Sequence, residues 1–75
     1  MSDMSDPQRK AARKVLAGFR ELSVSIERDG DVTRLIPWRR KSEQGAPVEV
    51  VNEVTPPSQI ERLMFASCSA LMEQV

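Results

Sequence analysis

The chain has 75 residues, 40% of them apolar, with eleven basic and eleven acidic residues, one cysteine and no histidine. That length allows one domain with a thin stability margin, because so short a chain buries only about 60–65% of the surface its unfolded form exposes. The composition excludes an internal disulfide, a histidine-based metal site and any Ser-His or Cys-His catalytic pair.

The zero net charge conceals an asymmetry. Residues 1–42 hold ten of the eleven Lys/Arg against six acids, and residues 43–75 hold only Arg62 against five acids. Such an asymmetry points toward a charged partner. The polar N-terminus leads into no apolar run, so no secretory signal is expected, and no stretch approaches the roughly 18–20 apolar residues of a membrane span. A lone thiol suits a reducing compartment, so a cytoplasmic location is expected.

In chain order, residues 1–5 read as a disordered tail and residues 6–75 as a single domain. Asp6-Pro7 opens a helix, with Asp6 as the cap and Pro7 at the first position. Ala12, Val15, Leu16, Phe19 and Leu22 form one apolar stripe at helical period, and the helix ends near Gly18 or Glu21. The opposite side carries Arg9, Lys10, Arg13, Lys14 and Arg20. This run is a solvated outer face or, alternatively, a phosphate-binding helix. No second helix follows closely, which argues against a helix-turn-helix.

Leu22, Val24 and Ile26 then alternate with polar residues, the period of a half-buried strand. Asp29-Gly30 marks a turn, and Val32 to Trp38 is the return strand. A three-residue loop, Arg28-Asp29-Gly30, pairs Ile26 with Val32 and Leu22 with Ile36, and so keeps the apolar set on one face. Pro37 cannot donate to a ladder, so the second strand ends there or lies at an edge. Residues 39–47 form a polar loop, and Val48 to Asn52 is a short third strand.

Thr55-Pro56-Pro57-Ser58 precedes the last helix. Either Thr55 caps it, or Ser58 and Glu61 form a capping box. Ile60, Leu63, Met64, Ser67, Cys68, Leu71 and Val75 share one side of this helix, with Phe65 and Met72 widening the apolar arc. Cys68, mid-helix on the apolar side, reads as a core thiol rather than a nucleophile.

These elements make an α+β domain in the order α-β-β-(β)-α, with two helices packed on a short antiparallel sheet. The expected core is Val15, Leu16, Phe19, Leu22, Val24, Ile26, Ile36, Ile60, Leu63, Met64 and Leu71. No G-x-x-x-x-G-K, G-x-G-x-x-G or C-x-x-C motif occurs. No enzyme, cofactor or metal site is expected.

The expected function is a small non-enzymatic protein-binding module, a regulator or inhibitor that occupies a partner's surface as a homodimer. Its partner-binding residues are Trp38, Arg39, Arg40, Lys41, Phe65 and Met72, since Trp and Arg are enriched at hot spots. Compact accessory inhibitors carried by phages and mobile elements share this size and chemistry. The alternative is a nucleic-acid-binding regulator using Arg9, Lys10, Arg13, Lys14 and Arg34 with the Trp38–Lys41 cluster. A second alternative is a structural subunit docking through its last helix. No membrane partner is expected.

Overall fold

A computed structural model of the chain describes residues 3–73. The first helix, α1, spans Asp6–Leu16. Its N-cap is Ser5 rather than Asp6, and Ser5 and Gln8 form a reciprocal capping box: the Gln8 N–H donates to Ser5 Oγ (3.3 Å), and the Ser5 N–H donates to Gln8 Oε1 (2.9 Å). The expected tail is therefore part of the fold from Asp3 onward. Met4 lies buried in the core, and residues 1–2 of that tail lie outside the described residues. Gly18 and Phe19 close turns back onto Val15 and Leu16, so α1 stops short of the expected end.

The antiparallel sheet is built on β2 (Val32–Arg40). On one side β2 pairs with β1 (Ser23–Asp29). On the other it pairs with β4 (Val48–Val51) and the two-residue β3 (Glu43–Gln44), which lie end to end. The sequence indicated the third strand as Val48 to Asn52, which is β4, and gave no sign of β3.

The hairpin register differs from the expected one. Asp29 faces Val32, so the loop is the two-residue Gly30-Asp31, and Ile26 lies opposite Leu35 rather than Val32. Gly30 sits at φ 62, the left-handed conformation glycine adopts most readily, at the first loop position as in a type II′ turn. This register also keeps one apolar face, but a different one. Thr33, Leu35 and Pro37 are buried, whereas Val32, Arg34, Ile36 and Trp38 are half-buried on the reverse side.

Pro37 lies within central β2 rather than ending it. Its carbonyl accepts from the Gly45 N–H (2.7 Å), so its missing donor faces the interval between β4 and β3, where no ladder bond is required. Gly45 is needed there. A Cβ on it would lie 2.9 Å from Ser67 Oγ and 3.0 Å from the Pro37 ring.

The second helix, α2, spans Pro57–Met72. Its N-cap is Pro56 with no side-chain cap, so neither expected cap forms. Thr55 instead uses its Oγ1 to accept from the Val51 N–H (2.8 Å). Lys14 reaches Glu61 (3.3 Å), and further along Phe19 meets Phe65, so the helices run parallel, side by side. Ile60, Met64, Cys68 and Leu71 of α2 are fully buried with Val50 of β4, and Met4, Ala11, Ala12, Leu22, Leu35 and Val48 complete the core. Val15, Leu16, Phe19 and Val24 pack partly buried against it. Three expected core residues lie outside the core: Ile26 is 56% exposed, Leu63 is 38% exposed, and Ile36 is half-buried on the reverse face of the sheet, because the observed register puts it opposite Ser25. No helix among the described residues is long and apolar enough to cross a membrane.

Buried polar groups tie the ends of these elements together. Gln8 Nε2 donates to the carbonyls of Val51 (3.1 Å) and Thr55 (3.0 Å). Gln8 Oε1 also accepts from the Glu53 N–H (2.9 Å). Thr33 Oγ1 donates to Asn52 Oδ1 (2.7 Å), and the Asn52 N–H donates to the Asp31 carbonyl (2.7 Å). This knot fixes the start of α1, the hairpin tip and the β4–α2 loop at one end of the sheet.

Candidate functional site

The six expected partner-binding residues do not form one patch. Trp38 lies on the reverse face of the sheet, opposite Ser23 and Gln44. Its indole N–H is shut away from solvent with no partner among the described residues. The register shifts between Trp38 and Arg40, leaving Arg39 as the odd residue of an irregular pairing. Arg39 donates to Glu43 through Nε (3.1 Å) and a terminal nitrogen (2.6 Å). Arg40 approaches the same carboxylate more loosely at 3.8 Å, and Lys41 is exposed in the turn.

Phe65 belongs to the other layer. It is 60% exposed on α2, its ring edge-to-face on Phe19 with centroids 5.8 Å apart. Met72, the last residue of α2, is half-buried against the core. The partner-binding set therefore divides between the end of β2 with its turn and two separate positions on α2.

The basic residues divide too. Arg9 pairs with Asp3 and Asp6, and Lys14 with Glu61. Arg34 stands in register between two carboxylates across three strands, Glu27 (3.3 Å) and Glu49 (3.2 Å). Its hydrogen bonds to both, Glu49 first, hold its guanidinium more firmly charged than usual. A phosphate reaching Arg34 would have to displace two carboxylates. Lys10 and Arg13 have no ion pair among the described residues, and they line an open groove with Pro7, Pro57 and Glu61.

Two titrations follow from this geometry. The hydrogen bonds from Arg39 hold the Glu43 carboxyl below the usual glutamate range, with its charge and that of Arg40 acting in the same direction against the opposing effect of burial. A lowered carboxyl pKa stabilises the fold above the unfolded value, and that contribution is lost as pH falls through the folded one. Carbon NMR should place the Glu43 midpoint below the ordinary glutamate range, and Arg39→Ala should move it back up. An unchanged midpoint in the variant would show that Arg39 is not its cause.

Burial pushes the Cys68 thiol up, and its side chain is sealed among the core residues. A disulfide reagent should modify native Cys68 on the order of a hundredfold more slowly than the denatured chain. Equal rates would place the thiol at the surface.

A third surface was not evident from the sequence. α1 and the sheet diverge over a trough of about 240 Å³ lined by Met4, Ala12, Leu16, Val24, Ile26 and Leu35, with Arg9 and Arg13 on its α1 side. β1 forms its outer wall, and the far edge of β1 pairs with no other strand among the described residues. The alternation of Val24 and Ile26 is legible in the sequence, but alternation alone does not distinguish a closed core from an open trough. No group of three or more His, Cys, Asp or Glu side chains is placed to hold a metal ion among the described residues.

Comparison with known proteins gives no match to this chain among family models, curated proteins or solved structures.

Proposed function

We propose that this chain is a small non-enzymatic protein-binding module, a regulator or inhibitor that acts in the cytoplasm by occupying a partner's surface, and that it works as a homodimer. The observation that carries this reading is apolar side chains left outside a complete core: Phe65 (60% exposed), Leu63 (38%), Val54 (72%) and Ile26 (56%). Single exposed apolar residues are ordinary. Here Leu63 and Phe65 flank the filled buried stripe of α2 on opposite sides, Leu63 beside Pro47 and Val48 and Phe65 beside Val15 and Phe19, so each flank is free to pack against another protein. The small core supports self-association, because at this length a core rarely supplies more than about 3–5 kcal/mol.

Light scattering on the purified protein tests the homodimer. The expected mass is twice the 8.4 kDa of the chain, falling to one chain for Leu63→Ser/Phe65→Ser. A wild-type monomer at high concentration would contradict it. The nucleic-acid alternative predicts binding to random DNA or RNA at 50 mM salt that weakens steeply as salt rises. With Arg9, Arg34 and Lys14 already engaged by carboxylates, no such binding is expected.

A further inference from the structure

Resting on the protein-binding reading, we propose that the open edge of β1 docks an extended segment of a partner protein as an added strand. That segment carries apolar side chains in one alternate row and a carboxylate in the same row. Three observations meet there. The first is backbone: β1 is seven residues long, pairs only with β2 among the described residues, and contains no proline. An unpaired edge presents a row of N–H and C=O groups to an incoming strand. Glu27, Arg28 and Asp29 guard the far half of β1 with charge, Arg28 paired to Asp3 (3.4 Å), but its first four residues, Ser23 to Ile26, carry none, so the added strand is placed there.

The second observation is apolar area. Ile26 is 56% exposed on the face of β1 that looks into the trough, beside Val24, Leu35, Ala12, Leu16 and Met4. In an added strand, alternate side chains would fall on that same face and complete the trough. The residues between them would meet Ser23 and Ser25 on the reverse face, which suits threonine or serine.

The third observation is charge. Arg9 and Arg13 border the trough from α1. Arg9 is neutralised by Asp3 and Asp6, whereas Arg13 has no ion pair among the described residues. A guanidinium beside an apolar trough selects a carboxylate in the apolar row. It also decides against a second copy as the occupant. Two-fold pairing of β1 with itself that keeps the sheet continuous places both α1 helices on one face, bringing one Arg13-bearing border toward the other.

The test uses the full chain and the labelled peptide acetyl-Thr-Val-Thr-Ile-Thr-Glu-Thr-amide, against a peptide with lysine in place of glutamate and one N-methylated at alternate residues. The glutamate peptide is expected to bind at least tenfold more tightly than either control and to shift the amide resonances of residues 23–26. Arg13→Glu should reverse the preference to the lysine peptide, and Ile26→Lys, a change at an exposed site, should abolish binding while the melting temperature holds. Equal binding of the glutamate and lysine peptides, an unaltered preference in Arg13→Glu, or no binding by any peptide overturns the proposal. So does a wild-type dimer that becomes monomeric on Ile26→Lys, which would assign the edge to a second copy. If peptide binding fails while a Phe65-dependent dimer persists, only this inference falls. If both fail, the protein-binding reading loses its support as well.

Discussion

Gln8→Ala should destabilise the protein by about 3 kcal/mol, a large share of what a chain this size can hold. Gln8 is 1% exposed and uses its whole amide: two donors on the Val51 and Thr55 carbonyls, and one oxygen accepting from Ser5 and Glu53. Truncation strands three backbone groups where water enters poorly, the Thr55 carbonyl and the Ser5 and Glu53 N–H groups, while the Val51 carbonyl still accepts from the Val54 and Thr55 N–H groups. Each buried, unmet group costs about 1–3 kcal/mol before relaxation. The Glu53 N–H is the most exacting of these partners, since its residue sits at φ 67, a conformation unfavourable for a side chain other than glycine. The melting temperature should fall by on the order of 15 °C, at roughly 4–8 °C per kcal/mol for a domain of this length. Gln8→Glu should also lose stability, because a carboxylate has no donor for the two carbonyls. Lys10→Ala, at an exposed position of the same helix, should stay within about 0.5 kcal/mol of wild type. A Gln8→Ala protein melting with wild type would show that the knot does not hold these elements together.

The second large effect is expected at Met64. Its side chain is fully buried between helix and sheet, so Met64→Ala should cost about 3 kcal/mol through lost transfer energy and the cavity left behind. Leu63 is its neighbour in sequence and 38% exposed, so Leu63→Ala should cost less than about 1 kcal/mol. Urea denaturation of the two variants reads the difference directly. Equal losses would mean that α2 is rotated from the orientation described.

The contrast at 63 and 64 marks how far the sequence was legible. A period of 3.6 identified α2 and its stripe through Ile60, Met64, Cys68 and Leu71, but an apolar arc that wide has no visible centre. The sheet contacts settle it, leaving Leu63 and Phe65 outside. The α+β class, the parting of helix from strand near Leu22 and the antiparallel hairpin followed from changes of period.

The register did not follow, because β2 is apolar on both faces. Val32 and Ile36 lie on one, Leu35 and Pro37 on the other, and a shifted loop still yields a consistent pattern. The role of Gln8 was hidden among the bases of QRKAARK. Three of its partners lie 43 to 47 residues away, and backbone groups carry no sequence signature.

The candidate surfaces were less legible still. Nearness in sequence is not nearness in space: strand alternation with the irregular pairing at Arg39 separates Trp38 from its neighbours. The position of Phe65 off the helix stripe matches its exposure. The trough beside β1 arises because α1 leaves Ile26 uncovered, a matter of helix placement that no local pattern encodes.

The most direct test of the central claim, that this chain acts through its uncovered surface, is quantitative affinity capture from its own cells. Tagged wild type would be compared with Leu63→Ser/Phe65→Ser and with Ile26→Lys, each first confirmed to melt within a few degrees of wild type. The account predicts a protein retained by wild type and depleted at least tenfold by one or both variants. A captured set identical across all three proteins, or no protein enriched by wild type, would contradict it.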